Sequence, residues 1–230
     1  MTHTHVVPED WQDPLVISRN KEPGHATLMV YGDVATALGA SLPADRTASP
    51  WRKSLNGQWK FAFAANPAAA PEGFFAADYD VSDWAEIAVP GNWQLQGFDK
   101  PVYVNVQYPF PTDGYPRVPD DDNPTGCYRL VFTVPADWGG RQVFLAFDGV
   151  DSAFHLWVNG EFAGYSEDNH LPAEFNVTPY LRPGENSVAL RVYRWSTGAY
   201  MEDQDYWRLS GIYRDAYLWS APLVHVRDFT

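Results

Sequence analysis

From Ser54 onward, apolar and polar residues alternate at a period of two, the mark of half-buried β-strands. In Gly57–Ala64, Trp59, Phe61 and Phe63 alternate with Gln58, Lys60 and Ala62. Tyr128, Leu130, Phe132 and Val134 line one face of a second run. Val143, Leu145 and Phe147 follow, then Phe154, Leu156 and Val158, then Val188, Leu190 and Val192. Tyr213, Tyr217 and Trp219 close the series as core-facing positions. Turn residues separate the runs: Trp138-Gly139-Gly140, Asp148-Gly149, Asn159-Gly160 and Pro183-Gly184. Asn159-Gly160 predicts a hairpin, because a type I′ turn needs positive φ at both central residues. No amphipathic helical pattern extends beyond about three turns, and no internal repeat is present. The pattern predicts an all-β protein: an antiparallel β-sandwich of jelly-roll type over residues 51–221.

Residues 1–50 follow no period and are punctuated by Pro8, Pro14, Pro23, Pro43 and Pro50. The apolar run at 26–39 suits either a single helical turn or an extended segment. Without a stripe to pack on its own sandwich, this stretch is expected to be an irregular arm, poorly ordered or laid on a partner. Residues 222–230 are expected to begin a following domain. Two loops are too long and too aromatic for plain connectors, at 90–126 and 195–211.

Composition narrows the function classes. A chain of 230 residues buries enough surface to fold without staples. Its 10 Trp, 13 Tyr and 13 Phe suit a sandwich core or a carbohydrate-binding surface. The net charge of −13 argues against nucleic acid and against an anionic membrane as partners. Cys127 is the single cysteine, which excludes an internal disulfide and a thiolate cluster. The first residues carry no basic, apolar leader pattern, and no run approaches about 18 apolar residues. These features together point to the cytoplasm.

The densest chemistry lies at 196–214, STGAYMEDQDYWRLSGIYR. Glu202, Asp203 and Asp205 stand among Tyr200, Tyr206, Trp207 and Tyr213, with Arg208 and Arg214 nearby. Carboxylates accept hydrogen bonds from sugar hydroxyls, and flat rings cover the C–H face of a pyranose. The same residues also suit acids paired with arginines while the rings pack inward. Glu202 and Asp205 are the candidate catalytic pair of a small autonomous glycosidase, which needs two carboxyls across the scissile bond. Asp120-Asp121-Asp122 lacks the glycine and closing glutamate of a calcium loop and reads as a solvated turn. His155, between Phe154 and Leu156, reads as a packed or hydrogen-bonded histidine. Nucleophile-elbow, phosphate-loop, dinucleotide and zinc-helix motifs are all missing.

Several segments in order resemble the N-terminal region of the large lac-operon-type bacterial β-galactosidases of glycoside hydrolase family 2. They are Asp10-Trp11, SLNGQWKFAF (54–63), VPGNWQLQGFDKPVYVNVQYP (89–109), DNPTGCY (122–128), FDGVDSAFHLWVNG (147–160), LPAEFNVTPYLRPGEN (171–186) and RWSTGAYMEDQDYWRLSGIYRD (194–215). The resemblance implies a jelly-roll sugar-binding domain beside a separate (β/α)₈ barrel that carries the catalytic glutamates and a magnesium site. A barrel of about 250 residues has no room here, so the chain alone is expected to be inactive or nearly so. The resemblance assigns galactosyl contacts to Asn105 and Asp205, and places Asp205, with Tyr103 close by, at an incomplete sodium or potassium site. It implies galactose or a β-galactoside as ligand, and a barrel-bearing domain or chain as partner. Self-association through the arm and the bare aromatic surface is a further expectation.

Overall fold

The computed structural model describes residues 8–40 and 48–229. Residues 1–7 and 41–47 of the expected arm lie outside the described residues. In chain order the strands are β1 (Ser18–Arg19), β2 (Arg52–Ser54), β3 (Gly57–Ala64), β4 (Ala85–Val89) and β5 (Val102–Tyr103). Then come β6 (Thr125–Thr133), β7 (Gln142–Phe147), β8 (Val150–Asp151), β9 (Ala153–Val158) and β10 (Glu161–Glu167). The series ends with β11 (Ala173–Asn176), β12 (Glu185–Tyr193), β13 (Trp207–Arg208), β14 (Gly211–Ile212) and β15 (Ala216–Ala221). A seven-stranded sheet runs β1-β10-β9-β12-β6-β3-β4, and a four-stranded sheet runs β11-β7-β15-β2. Neighbours in both sheets are antiparallel.

The core lies between these sheets, as the alternation requires. Trp59, Phe61, Tyr128, Phe132, Phe154, Leu156, Val158, Val188, Leu190 and Val192 from the large sheet meet Val143, Leu145, Phe147, Phe175 and Leu218 from the small one. The predicted hairpin forms: Asn159 and Gly160 have φ of 53° and 86°, and Glu161 pairs with Val158 across the turn. Gly164 in β10 sits directly against Phe175 of the small sheet. A Cβ there would lie 2.4 Å from Phe175 Cε1 and 2.7 Å from the Arg19 carbonyl oxygen. Gly164→Ala is therefore expected to destabilise the chain by about 1–3 kcal/mol, seen as a lower urea midpoint at unchanged slope.

The last strand reverses the expectation for Tyr217 and Trp219. Ala216 and Leu218 face the inter-sheet core, while Tyr217 and Trp219 lie on the outer face of the small sheet with Phe144, Ala146, Ala221 and Val30. Both faces of β15 are buried. A strand apolar on both sides carries no inside–outside signal.

The outer faces explain that. Residues 66–84 fold over the large sheet and seat Phe74 and Phe75 against Trp157, with Phe75 stacked at 4.8 Å. The described part of the arm packs on the sandwich as well, which corrects the expectation that it cannot pack on its own core. Trp11 stacks on Tyr193 at 5.3 Å between ring centroids. Asp10 accepts two 2.7 Å hydrogen bonds from Arg19 and one of 3.2 Å from His155. Gln12 donates to the Val118 carbonyl and accepts from the Val118 N–H. Farther on, Lys21 bridges to Phe175, and the Glu22 N–H donates to the Glu174 carbonyl at 2.8 Å. Three specific polar anchors and one ring hold the arm, so no apolar period was needed. In the 26–39 run, only Val34–Gly39 is helical, capped by the Asp33 side chain on the Thr36 N–H.

His155 is fully buried, as expected of a packed histidine. Asp10 accepts at its Nε2 and the Tyr193 hydroxyl donates to its Nδ1 at 2.9 Å, which defines the neutral Nε2–H tautomer. Burial pushes the His155 pKa down, consistent with that neutral form.

Candidate carbohydrate site

The two long loops meet at one surface. The short strands β5 and β13 pair antiparallel, with Tyr103 opposite Trp207. Beneath them, Asn123 ties both sides together: its side-chain oxygen accepts from the Trp195 N–H at 2.8 Å, and its amide donates to the Trp195 carbonyl at 2.9 Å. Arg194, at the end of β12, reaches Asp99, the Lys100 carbonyl and the Arg208 carbonyl. Gln94 bonds Ser210 at both its backbone N–H and its hydroxyl. These buried contacts fix the 195–211 loop on the 90–126 loop and aim the outer residues at solvent.

At the surface, the Tyr103 hydroxyl donates to Asp205 Oδ1. That bond to a carboxylate acceptor, reinforced by partial desolvation and the Asp205 charge, pushes the phenol pKa up. The Tyr103 and Trp207 rings are tilted with centroids 5.4 Å apart, and both side chains are about half exposed. Asn105 is exposed two residues beyond Tyr103, and its side-chain oxygen accepts from the Val106 N–H. The structure therefore joins Tyr103 to Asp205 directly and puts Asn105 on the same loop as Tyr103. A second aromatic group continues the surface: Tyr108, Phe110 and Tyr115 surround Tyr200 at 5.0–5.4 Å.

The arginine-paired reading of the acids holds for one of them. Asp203 takes the Arg208 guanidinium, which also covers the Tyr206 ring at 4.2 Å. Glu202 and Asp205 have separate partners. Glu202 is drawn inward and accepts from the Asn169 N–H at 2.9 Å, whereas Asp205 is exposed on Tyr103. Burial pushes the Glu202 carboxyl up to about 7.

Sequence reasoning missed two further acids in this region. Burial, with the Glu202 charge next, pushes Asp151 up to about 8. Burial also pushes Glu167 up to about 7, against hydrogen bonds from Tyr165 and Thr197 that pull it down. Each is the last residue of its strand, β8 and β10, and an acid directly after an apolar or small-residue run was the available signal. Among the described residues no helix is long and apolar enough to cross a membrane, and no cluster of three or more acids, histidines or cysteines is arranged to hold a metal.

Asp205 and Tyr103 fit part of an alkali-ion site. They offer one carboxylate and one phenol oxygen, so most ligands would have to come from another segment or chain.

Comparison with known proteins bears on this surface. Residues 52–222 match the model of the glycosyl hydrolases family 2 sugar binding domain. A beta-galactosidase of Psychromonas ingrahamii is 49% identical over 221 residues, covering 96% of this chain and 21% of that protein. The beta-galactosidase of Priestia megaterium is 46% identical over 226 residues, covering 97% of this chain and 22% of its own length. The chain thus spans about a fifth of the length of the curated relatives it matches. Among solved structures, Bacteroides uniformis beta-glucuronidase 2 shares the fold, with a TM-score of 0.56, 24% identity, and coverage of 74% of this chain and 18% of that one. Bifidobacterium dentium beta-glucuronidase does so with a TM-score of 0.55, 19% identity, and coverage of 76% and 30%. The sandwich and its paired loops therefore belong to glycosyl hydrolase family 2, and residues 52–222 are its sugar-binding domain.

Proposed function

We propose that this chain is the galactose-recognising module of a β-galactosidase-type enzyme, its sandwich the jelly roll of that family. The observation that carries the reading is the Tyr103–Asp205 hydrogen bond, which ties two loops from distant parts of the sequence into one exposed edge. Asn105 and Asp205 contact galactosyl hydroxyls, since an amide donates and accepts while a carboxylate accepts twice. Tyr103 positions Asp205 by holding one oxygen, leaving the other for a hydroxyl or for a sodium or potassium ion. The half-exposed Tyr103 and Trp207 rings form a surface that a barrel-bearing segment or chain covers, and magnesium belongs to that barrel. With the described part of the arm packed on its own sandwich, self-association would use this aromatic surface. The single buried thiol, Cys127, suits a reducing compartment, and we place the protein in the cytoplasm.

The chain alone hydrolyses no β-galactoside on this reading, because the catalytic carboxyls belong to the barrel-bearing segment or chain, while here Glu202 is drawn inward and Asp205 is exposed. Galactose binding is expected in the millimolar range, near −4 kcal/mol, because one open wall cannot bury a ligand. NMR titration of galactose into the labelled chain tests this. Shifts at 103–105 and 205–207 that vanish in Asp205→Ala are expected. Shifts elsewhere, or aryl β-galactoside turnover abolished by Glu202→Gln, would replace the reading with an autonomous glycosidase.

A further inference from the structure

Arg191 stands apart from the other buried arginines. Arg194 pairs with Asp99, Arg208 pairs with Asp203, and Arg129 donates to the Phe74 and Ala76 carbonyls. Arg191 is 8% exposed, and among the described residues no carboxylate forms an ion pair with it. The Cys127 thiol and the Tyr193 hydroxyl lie beside it, and both are neutral, their pKa values pushed up by burial. The Arg191 Nε–H is buried without a partner, and the guanidinium lies over the Phe74 ring at 5.3 Å. A buried charge with no opposite charge beside it is unfavourable, and a carboxylate is the partner whose geometry the planar guanidinium matches.

Arg191 lines an open pocket of about 390 Å³, within the size range of small-molecule sites. Three segments meet there: the arm at Glu9 and Trp11, the turn at Asn66, and the loop at Asp120 and Asp121. Asn66 ties the last two together, since its side-chain amide donates to the Asp121 carbonyl at 3.3 Å and its oxygen accepts from the Ala69 N–H at 2.9 Å. Glu9, Asp120 and Asp121 are exposed, so the pocket has one buried cation inside and hydrated carboxylates at its rim. A bare anion would answer Arg191 but be repelled by the rim. A neutral sugar would suit the rim, because carboxylates accept from hydroxyls, but would leave the guanidinium uncompensated. A ligand with one carboxylate and several hydroxyls answers both.

We propose that this pocket binds a hydroxylated carboxylic acid of monosaccharide size, an aldonic or uronic acid. Its carboxylate sits on the Arg191 guanidinium, and its hydroxyls donate to Asp120 and Asp121. A ligand held in this way bridges the arm, the turn at Asn66 and the loop at Asp120, and so fastens the arm to the sandwich. The pocket shares no lining residue with the Tyr103–Asp205 edge and does not rest on the proposed galactose recognition.

NMR titration of the full chain with sodium D-galacturonate, to about 50 mM at constant ionic strength, tests the proposal. Saturable shifts are expected at the Arg191 Nε–H and at the backbone amides of Trp11, Asn66, Asp120 and Asp121, with a Kd of about 1–10 mM. Tm should rise with galacturonate, because only the folded chain holds the pocket. Galactose, which lacks the carboxylate, and acetate, which lacks the hydroxyls, should each bind there about tenfold more weakly or worse. Arg191→Gln should abolish the shifts at these amides, and it should fold, since it removes an uncompensated buried charge. Asp120→Asn combined with Asp121→Asn, at exposed positions, should narrow the preference for galacturonate over acetate by about threefold or more. Asp205→Ala should bind galacturonate as the parent does. Absence of shifts around Arg191 would overturn the proposal. An equal response to acetate, marking a simple anion site, or to galactose, marking a neutral sugar site, would overturn it too, as would an unchanged titration in Arg191→Gln.

Discussion

The chain is expected to lose stability steadily as pH rises from about 4 to about 8. Three carboxyls set this window: Glu167 and Glu202 pushed up to about 7, and Asp151 to about 8. In the unfolded chain such groups titrate near 4. Between those limits the native state holds more protons than the unfolded state, so stability falls as pH rises. Each group contributes up to about 1.4 kcal/mol per pH unit while it differs between states. At this size 1 kcal/mol moves Tm by about 2–4 °C, so Tm near pH 8 should lie about 10 °C or more below that near pH 5. Asp151→Asn removes the group with the highest value and should flatten the upper part of the curve. Asp10 acts in the opposite direction and at lower pH. Burial alone would raise it, but hydrogen bonds and charge from His155 and Arg19 hold it at about 2. Its contribution is present above about pH 4 and is lost as pH falls toward 2. Maximum stability should therefore sit near pH 4–5. A flat Tm between pH 5 and 8 would show that these acids are better solvated than their packing indicates.

Asp10→Ala is expected to carry the largest single cost in the arm, about 1–3 kcal/mol. The substitution strands the Arg19 guanidinium and leaves the fully buried His155 Nε2–H without an acceptor. It also loosens Trp11, whose stacking on Tyr193 closes a cluster with Phe110, Val118, Tyr165 and Trp195. Because residues 8–21 pack on their own sandwich, the effect should be the same at low and high protein concentration. Urea unfolding followed by tryptophan fluorescence measures the loss, and limited proteolysis should cut near residue 20 in the variant first. Asp10→Asn, which keeps one acceptor, should cost less than Asp10→Ala. A loss of stability that appears only at high concentration would mean that the arm serves a contact between chains.

The sandwich was legible because period-two alternation is a local consequence of the strand itself. Trp59 and Phe61, Phe154 to Val158, and Val188 to Val192 point inward wherever the strands end up, and Asn159-Gly160 makes its turn from its own φ preferences. The candidate carbohydrate edge was partly legible. Tyr103, Asn105, Asp205 and Trp207 were named from two loops, but their joining depends on β5 meeting β13 across about 100 positions. Only tertiary packing decided the rest. Tyr217 and Trp219 turned outward because β15 is apolar on both faces and another layer covers it. The arm found its place through Asp10, Trp11 and Gln12, single residues whose partners lie about 100 positions or more away and leave no period to read. Asp151 and Glu167 looked like ordinary acids in the sequence, and Glu202 stood out only for the aromatic residues around it. Their raised pKa values exist only because the fold removes water from them and brings their charges together, and desolvation is a property of the assembled interior rather than of any segment.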